Sequence, residues 1–271
     1  MSNEREFDIV VWGATGFTGR LVAEYLYDRY GDDPSLKWAM AGRNAAKLEA
    51  VRNEVADDSV AMITADSDDE ASLDAMTKRT KVILTTVGPY GKYGSKLVAA
   101  CVANQTHYCD LAGEVPWMRQ MIDAHHETAK ANGTKIVHTC GFDSIPSDMG
   151  VYYTQRQAIR TTDHPAKSIN MRVKAFRGAV SGGTYASLSD SIEKAYEDRS
   201  QFKVLIEPYS LNPEGERSGP DKRDLQSVVY DEISSSWVYP FIMAGINTKV
   251  VRRSNALAGY PYGKEFQYDE S

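Results

Sequence analysis

Short runs of β-prone apolar residues alternate with longer amphipathic stretches through the first half of the chain. The runs Phe7 to Trp12, Leu36 to Ala41, Val60 to Thr64, Val82 to Val87, His107 to Leu111 and Lys135 to Thr139 read as strands. Between them Phe17 to Tyr30, Ala45 to Val55, Glu70 to Lys78, Ser95 to Asn104 and Val115 to Asn132 carry apolar residues at helical spacing. Strand and helix alternating at this period predict an α/β fold, a doubly wound parallel sheet with right-handed crossovers.

The pattern changes in the second half. Ile169 to Phe176 alternates as a half-buried strand, Thr184 to Arg199 has helical periodicity, and Leu225 to Ile233 and Thr248 to Arg252 read as further strands. Glu207 to Arg223, rich in Pro, Gly and charge, reads as a long exposed loop, with a mobile lid as one reading. With 271 residues the chain is long enough for two domains. The expected division is residues 1–145, a dinucleotide-binding domain, and residues 146–271, a smaller mixed α/β domain for substrate.

The first strand ends in Gly13-Ala14-Thr15-Gly16-Phe17-Thr18-Gly19. Glycines at this spacing between a strand and a helix let the chain reverse at Gly13, let backbone approach a pyrophosphate at Gly16, and let the helix pack on the strand at Gly19. Free N–H groups at the start of the helix, around Thr15, Phe17 and Thr18, then face the anion. The expected architecture is therefore Rossmann-type.

The end of the second strand bears on the choice of cofactor. NAD enzymes place Asp or Glu there for the adenosine ribose, whereas this chain reads Ala41-Gly42-Arg43-Asn44. Arg43, with Asn44 and with Lys47 one helical turn on, suits a 2′-phosphate, so NADP(H) is the expected cofactor. Asp66, after the third strand, is a candidate for the adenine edge and equally for a helix cap. Thr86, Gly88 and Pro89 put backbone at the carboxyl edge of the sheet, where ligands of such sheets bind. Tyr90 beside them is a candidate proton donor, with packing or a polar lid as the other readings.

Polar groups gather in two later stretches, Tyr108 to Glu114 and Cys140 to Asp148. Of their carboxylates Asp110, Glu114, Asp143 and Asp148, we single out Asp110 and Asp143 as candidates for acid–base work. Ser144 or Ser147 with Pro146, and Glu114 with Pro116, also look like helix starts.

Composition removes several other classes. A net charge of −6 without a basic cluster gives no nucleic-acid surface. Met1 to Glu6 does not resemble a secretory signal, and the longest apolar run, Trp237 to Ile246, is too short to span a bilayer and contains Pro240 and Gly245. Three cysteines without close pairing fit a reducing cytoplasm, and the His and Cys residues lack the paired spacing of a zinc site, so no metal is expected.

Together, Gly13 to Gly19, Ala41 to Arg43, Thr86 to Tyr90, Tyr108 to Glu114 and Gly141 to Asp148 resemble the saccharopine dehydrogenase-like oxidoreductases, and within them the trans-acting enoyl reductase branch. Ser181 to Thr184, Asn247 with Thr248, Arg252 to Leu257 and Gly259 to Gly263 agree with the same resemblance. It implies an NADP-binding Rossmann domain, a mixed substrate domain, and hydride transfer from NADPH to a C=C or C=N bond. It implies no firm catalytic residue. Relatives run on past the position of Ser271, so a natural short form and a truncated product both stand open.

Trp237 to Ile246 offers either core or a wall for a greasy substrate; the second fits reduction of a hydrophobic enoyl or lipid-like chain. The alternative is a saccharopine-type amino-acid dehydrogenase, for which Arg172, Arg177, Arg252 and Arg253 would hold carboxylates. A third reading is a non-catalytic NADP-binding sensor or assembly protein. Substrate identity and oligomeric state, including a homo-oligomer, are left open by the sequence.

Overall fold

The computed structural model describes residues 4–175 and 199–271. The side chains of Arg199 and Ser200 are outside the description, as are the expected helix from Thr184, the Ser181 to Thr184 motif and Arg177. The chain divides into two compact units, Met1–Ala112 with Gln120–His138, and Gly113–Arg119 with Thr139–Ser271.

The first unit is built on six parallel strands: β1 (Phe7–Trp12), β2 (Trp38–Gly42), β3 (Ala61–Thr64), β4 (Thr80–Thr85), β5 (His107–Cys109) and β6 (Ile136–Val137). Their order across the sheet is β3-β2-β1-β4-β5-β6. Every neighbouring pair is parallel. The order reverses between β1 and β4, and that is the point where open α/β sheets bind ligands at their carboxyl edge.

Helices α1 (Phe17–Tyr30), α2 (Ala45–Val55), α3 (Glu70–Lys78), α4 (Tyr90–Tyr93) and α5 (Ser95–Ala103) follow successive strands, and α6 (Val115–Asn132) follows β5. Burial explains why the strands read as unbroken apolar runs. All five residues of β2 are buried, and Val11, Ala23, Leu26, Trp38, Met40, Leu48 and Val55 form one core cluster from β1, β2, α1 and α2. Fully burying a side chain such as Leu48 contributes about 1.5–3 kcal/mol. Caps set the helix starts: Asn44 Oδ1 accepts the N–H of Lys47, and Asp69 Oδ1 accepts that of Ala71.

In the second unit α7 (Ile145–Thr162) starts after Ser144, with Pro146 in its first turn. It is followed by β7 (Ser168–Met171), α8 (Arg199–Ile206), a hairpin of β8 (Val229–Asp231) and β9 (Ser236–Val238), α9 (Ala244–Leu257) and β10 (Gln267–Glu270). β7 and β10 pair in parallel. Val151, Val251, Phe266 and Tyr268 make a small core, with Ile169, Met171 and Tyr262 against it.

Four readings of this half are corrected. Thr248 to Arg252, expected as a strand, lies inside α9, because Ala244, Asn247, Thr248, Val251 and Asn255 are buried at helical spacing and that packing overrides the β-branched run. Only Val229–Asp231 of Leu225 to Ile233 is strand. The irregular segment after Glu207 is no free lid, since Tyr209 to Asn212 are buried and Asp221 is locked to Arg252 at 2.6 Å. Trp237, Tyr239 and Ile242, read as core or wall, are exposed.

Candidate functional site

At the carboxyl end of β1 the chain turns as the glycine spacing requires. Gly13 sits at φ +92°, in the region that disfavours side chains, and its N–H donates to Ala41 O at 2.9 Å. A Cβ on Gly13 would stand 2.6 Å from Val87 Cγ2, and one on Gly19 only 2.1 Å from Gly13 O. At Gly16 the nearest atom would be Gly13 O at 3.3 Å. Gly13 and Gly19 are thus glycine for packing inside the protein, while Gly16 is exposed on the outer side of the turn.

Gly16 also caps α1 with no side-chain hydrogen bond, and the first turn of α1 holds no acidic residue. The N–H groups of that turn therefore keep their capacity to donate, at the positive end of a helix dipole. Thr15 and Thr18 are partly exposed and Phe17 projects outward. This concave, donor-rich turn fits a pyrophosphate.

Beyond it, Arg43 at the end of β2 is exposed and, among the described residues, makes no hydrogen bond or ion pair. Lys47 stands in the first turn of α2, and Asn44 spends its side-chain oxygen on capping that helix. Asp66 shapes a local turn, with Oδ1 accepting Asp68 N–H at 3.0 Å. Thr86 N–H donates to Trp12 O at 3.0 Å, which ties the end of β4 to the end of β1. Gly88 and Pro89 follow, and Pro89 caps α4.

Tyr90 is buried. Its hydroxyl donates to Thr85 O and accepts Leu111 N–H, each at 3.2 Å, so it joins the ends of β4 and β5. Asp110 is buried as well. Oδ1 takes Ala112 N–H at 2.9 Å, and Oδ2 takes the Tyr108 hydroxyl at 2.9 Å and His138 Nδ1 at 2.6 Å. Burial, reinforced by Asp110, holds the Tyr108 phenol well above its ordinary range.

The sequence reading missed His138. The available signal was register: Cys109 pairs with Val137, so the residues that follow, Asp110 and His138, emerge side by side at the carboxyl edge.

Asp143 belongs to the second unit, exposed in the turn before α7. Glu114 is buried. Asp148 Oδ2 accepts the Ser254 hydroxyl at 3.0 Å, and burial pushes its carboxyl up. Ser144 donates to Asn247 Oδ1 at 2.8 Å. Three of the four candidate arginines are occupied, and the fourth, Arg177, lies outside the described residues. Arg172 pairs with Asp231 and Asp269, Arg252 with Asp221, and Arg253 Nη1 donates to Leu211 O at 2.6 Å. Among the described residues no group of three or more His, Cys, Asp or Glu side chains is placed to hold a metal, and no helix is long and apolar enough to cross a membrane.

Residues 9–137 match the family described as the saccharopine dehydrogenase NADP binding domain. A Mycobacterium tuberculosis relative is 42% identical over 275 residues, covering 98% of this chain and 65% of its own length. The trans-acting enoyl reductases of Mycobacterium leprae and Mycobacterium ulcerans are each 38% identical, covering 99% and 100% of this chain and 66% of their own. The chain thus spans just under two thirds of the length of these relatives. Among solved structures, apo saccharopine dehydrogenase (L-Glu forming) from Saccharomyces cerevisiae aligns with a TM-score of 0.47 and 17% identity, over 61% of this chain and 34% of that one. Residues 9–137 are thus an NADP-binding domain of the saccharopine dehydrogenase type, and the chain as a whole is similar to the trans-acting enoyl reductases.

Proposed function

We propose that this chain takes part in NADPH-dependent reduction of a C=C bond in a hydrophobic enoyl or lipid-like substrate. The observation that carries the cofactor half is the glycine turn with its uncapped α1 terminus, backed by an Arg43 that is unpaired among the described residues, where an NAD enzyme has a carboxylate. In the proposed complex Gly13 to Gly19 hold the pyrophosphate, Arg43 and Lys47 the 2′-phosphate, and Asp66 lies toward the adenine. Thr86, Gly88 and Pro89 support the nicotinamide end.

The substrate half rests on the names of the relatives and on the arginines. A saccharopine-type substrate with several carboxylates needs free guanidinium groups, and of its four candidates the three that lie among the described residues, Arg172, Arg252 and Arg253, are each engaged within the second unit, Arg177 lying outside the description. An uncharged acyl chain makes no such demand. We place the protein in the cytoplasm, where its three thiols stay reduced.

The test is NADPH oxidation, followed by loss of nicotinamide absorbance, with enoyl thioesters of increasing chain length and with saccharopine in the reverse direction. Turnover that improves with chain length supports this reading. Turnover of saccharopine alone would replace it by amino-acid dehydrogenation, and nucleotide binding without any turnover would favour a non-catalytic role.

A further inference from the structure

A cleft of about 760 Å³ opens at the edge of the sheet opposite the glycine turn, where β1, β4 and β5 begin. Its walls come from the first unit alone, and its volume is that of a small-molecule site. Strand register makes the floor. Ile9 pairs with Val82 and Val82 with His107, so three side chains from adjacent strands stand in one row on one face. Leu36, just before β2, extends the apolar part. From its β2 end to its β5 end the cleft crosses four strands, about 14 Å at the usual strand spacing.

Charge is sorted along that length. At the β5 end Arg5 donates from Nη1 to Thr77 O and Lys78 O and from Nη2 to Asn104 O, and among the described residues no carboxylate pairs with it. Its positive charge is thereby fixed beside Gln105. In the middle Lys81 and Asp8 neutralise each other at 2.6 Å. Asp33 stands at the β2 end, where its Oδ1 accepts the N–H of Ser35 at 2.9 Å and the hydroxyl of Ser35 at 2.6 Å.

Two side chains at the β5 end have donors to spare. His107 Nδ1 accepts the N–H of Lys135 at 3.1 Å, so the neutral ring carries its hydrogen on Nε2. The Gln105 amide has no partner among the described residues. Gln105 also sits at φ +54°, directly after the cap of α5. Glycine is the usual residue in that left-handed position after a helix, so the Gln105 side chain is held there against the preference of its backbone.

We propose that this cleft binds an amphiphilic carboxylate, an apolar chain or ring that ends in one carboxylate group. The carboxylate lies at the β5 end, on His107 Nε2–H and the Gln105 amide beside the Arg5 charge, and the apolar body runs over Val82 and Ile9 toward Leu36. A carboxylate offers acceptors only, which matches donors that have no acceptor of their own. Asp33 fixes the orientation, because a carboxylate at the β2 end would meet a like charge. The site is at the opposite ends of β1 and β4 from the cofactor turn and is independent of the reductase reading.

The test is calorimetric titration of the whole chain with octanoate at neutral pH and low ionic strength. Octanol, which lacks the charge, and acetate, which lacks the apolar body, are the controls. We expect saturable binding of octanoate at one site, with each control at least about tenfold weaker. NADPH, which takes the other edge of the sheet, should not displace it.

Gln105→Gly separates a binding role from a structural one. It deletes the amide and relieves the left-handed residue, so the variant should be no less stable than wild type and should bind octanoate about tenfold or more weakly. His107→Phe should weaken octanoate to a similar degree and keep its affinity for NADPH, and if it does not fold, Gln105→Gly decides alone. No saturable binding by wild type, equal binding of either control, an affinity unchanged in Gln105→Gly, or displacement by NADPH each overturns the proposal.

Discussion

Gly19 and Gly13 face each other so closely that a Cβ on Gly19 would lie 2.1 Å from the main-chain oxygen of Gly13. The start of α1 is seated on the end of β1 by backbone alone, and that contact aims the helix terminus out of the sheet edge. Gly19→Ala must push helix and strand apart. We expect a loss of about 1–3 kcal/mol in stability, the usual cost of overpacking, together with weaker NADPH binding. Gly16→Ala, with nothing nearer than 3.3 Å, should keep the stability and lose nucleotide affinity. Urea denaturation and nucleotide titration of the two variants separate the effects.

The second unit depends on a buried ion pair. Arg252 Nε donates to Asp221 Oδ2 at 2.6 Å with both side chains nearly inaccessible, and its remaining donors reach Pro208 O at 2.9 Å and Tyr268 O at 3.2 Å. Removing one partner strands the other without solvent. Asp221→Ala or Arg252→Ala should each cost about 3–5 kcal/mol by denaturant unfolding, and the double variant should cost less than the sum. Additive losses would show that the pair is not coupled.

Lys249 lies within α9, 1% exposed, and its ammonium donates to Gly245 O at 2.9 Å. Burial pushes it down to about 8, with Asp224 opposing the shift and Arg252 adding to it. The unfolded chain holds the proton up to about 10.5, so between about pH 8 and 10.5 unfolding takes up a proton and stability rises with pH. Lys249→Met should therefore be more stable than wild type at pH 7, by about 1–3 kcal/mol, and the advantage should shrink as pH passes 8. A variant no more stable at pH 7 would contradict this.

The four tryptophans divide sharply: Trp12, Trp38 and Trp117 are 2%, 7% and 4% exposed, and Trp237, on β9, is 65% exposed. Iodide should quench one component of the fluorescence, and Trp237→Phe should abolish that component with little change in stability. Quenching that survives the substitution would mean that a core tryptophan is accessible.

The first unit was legible because its central strands β1 and β2 are largely buried on both faces and its glycines are needed for local geometry. Val10 and Val11, the β2 run and the Gly13 to Gly19 spacing carry that information within a few residues of where it acts. The second half was less so. Thr248 to Arg252 has the composition of a strand, and only its packing, with Asn247 to Glu270 at 3.0 Å and Thr248 to Asp224 at 2.9 Å, makes it helix. Asp110 was visible as a carboxylate after a strand. His138 stands 28 residues further on and becomes its partner only through the β5–β6 pairing, a long-range fact that no local pattern contains.

The most direct measurement is a paired titration of wild type and Arg43→Ala with NADPH and NADH, read by nicotinamide fluorescence and by thermal stability. Ligand that binds only the native state must raise apparent stability, so no substrate is needed. The account predicts that wild type prefers NADPH and that Arg43→Ala loses about 10- to 100-fold in NADPH affinity, the worth of a charge-assisted contact, with NADH little changed. A preference that survives Arg43→Ala, or a wild type that binds neither nucleotide, would contradict it.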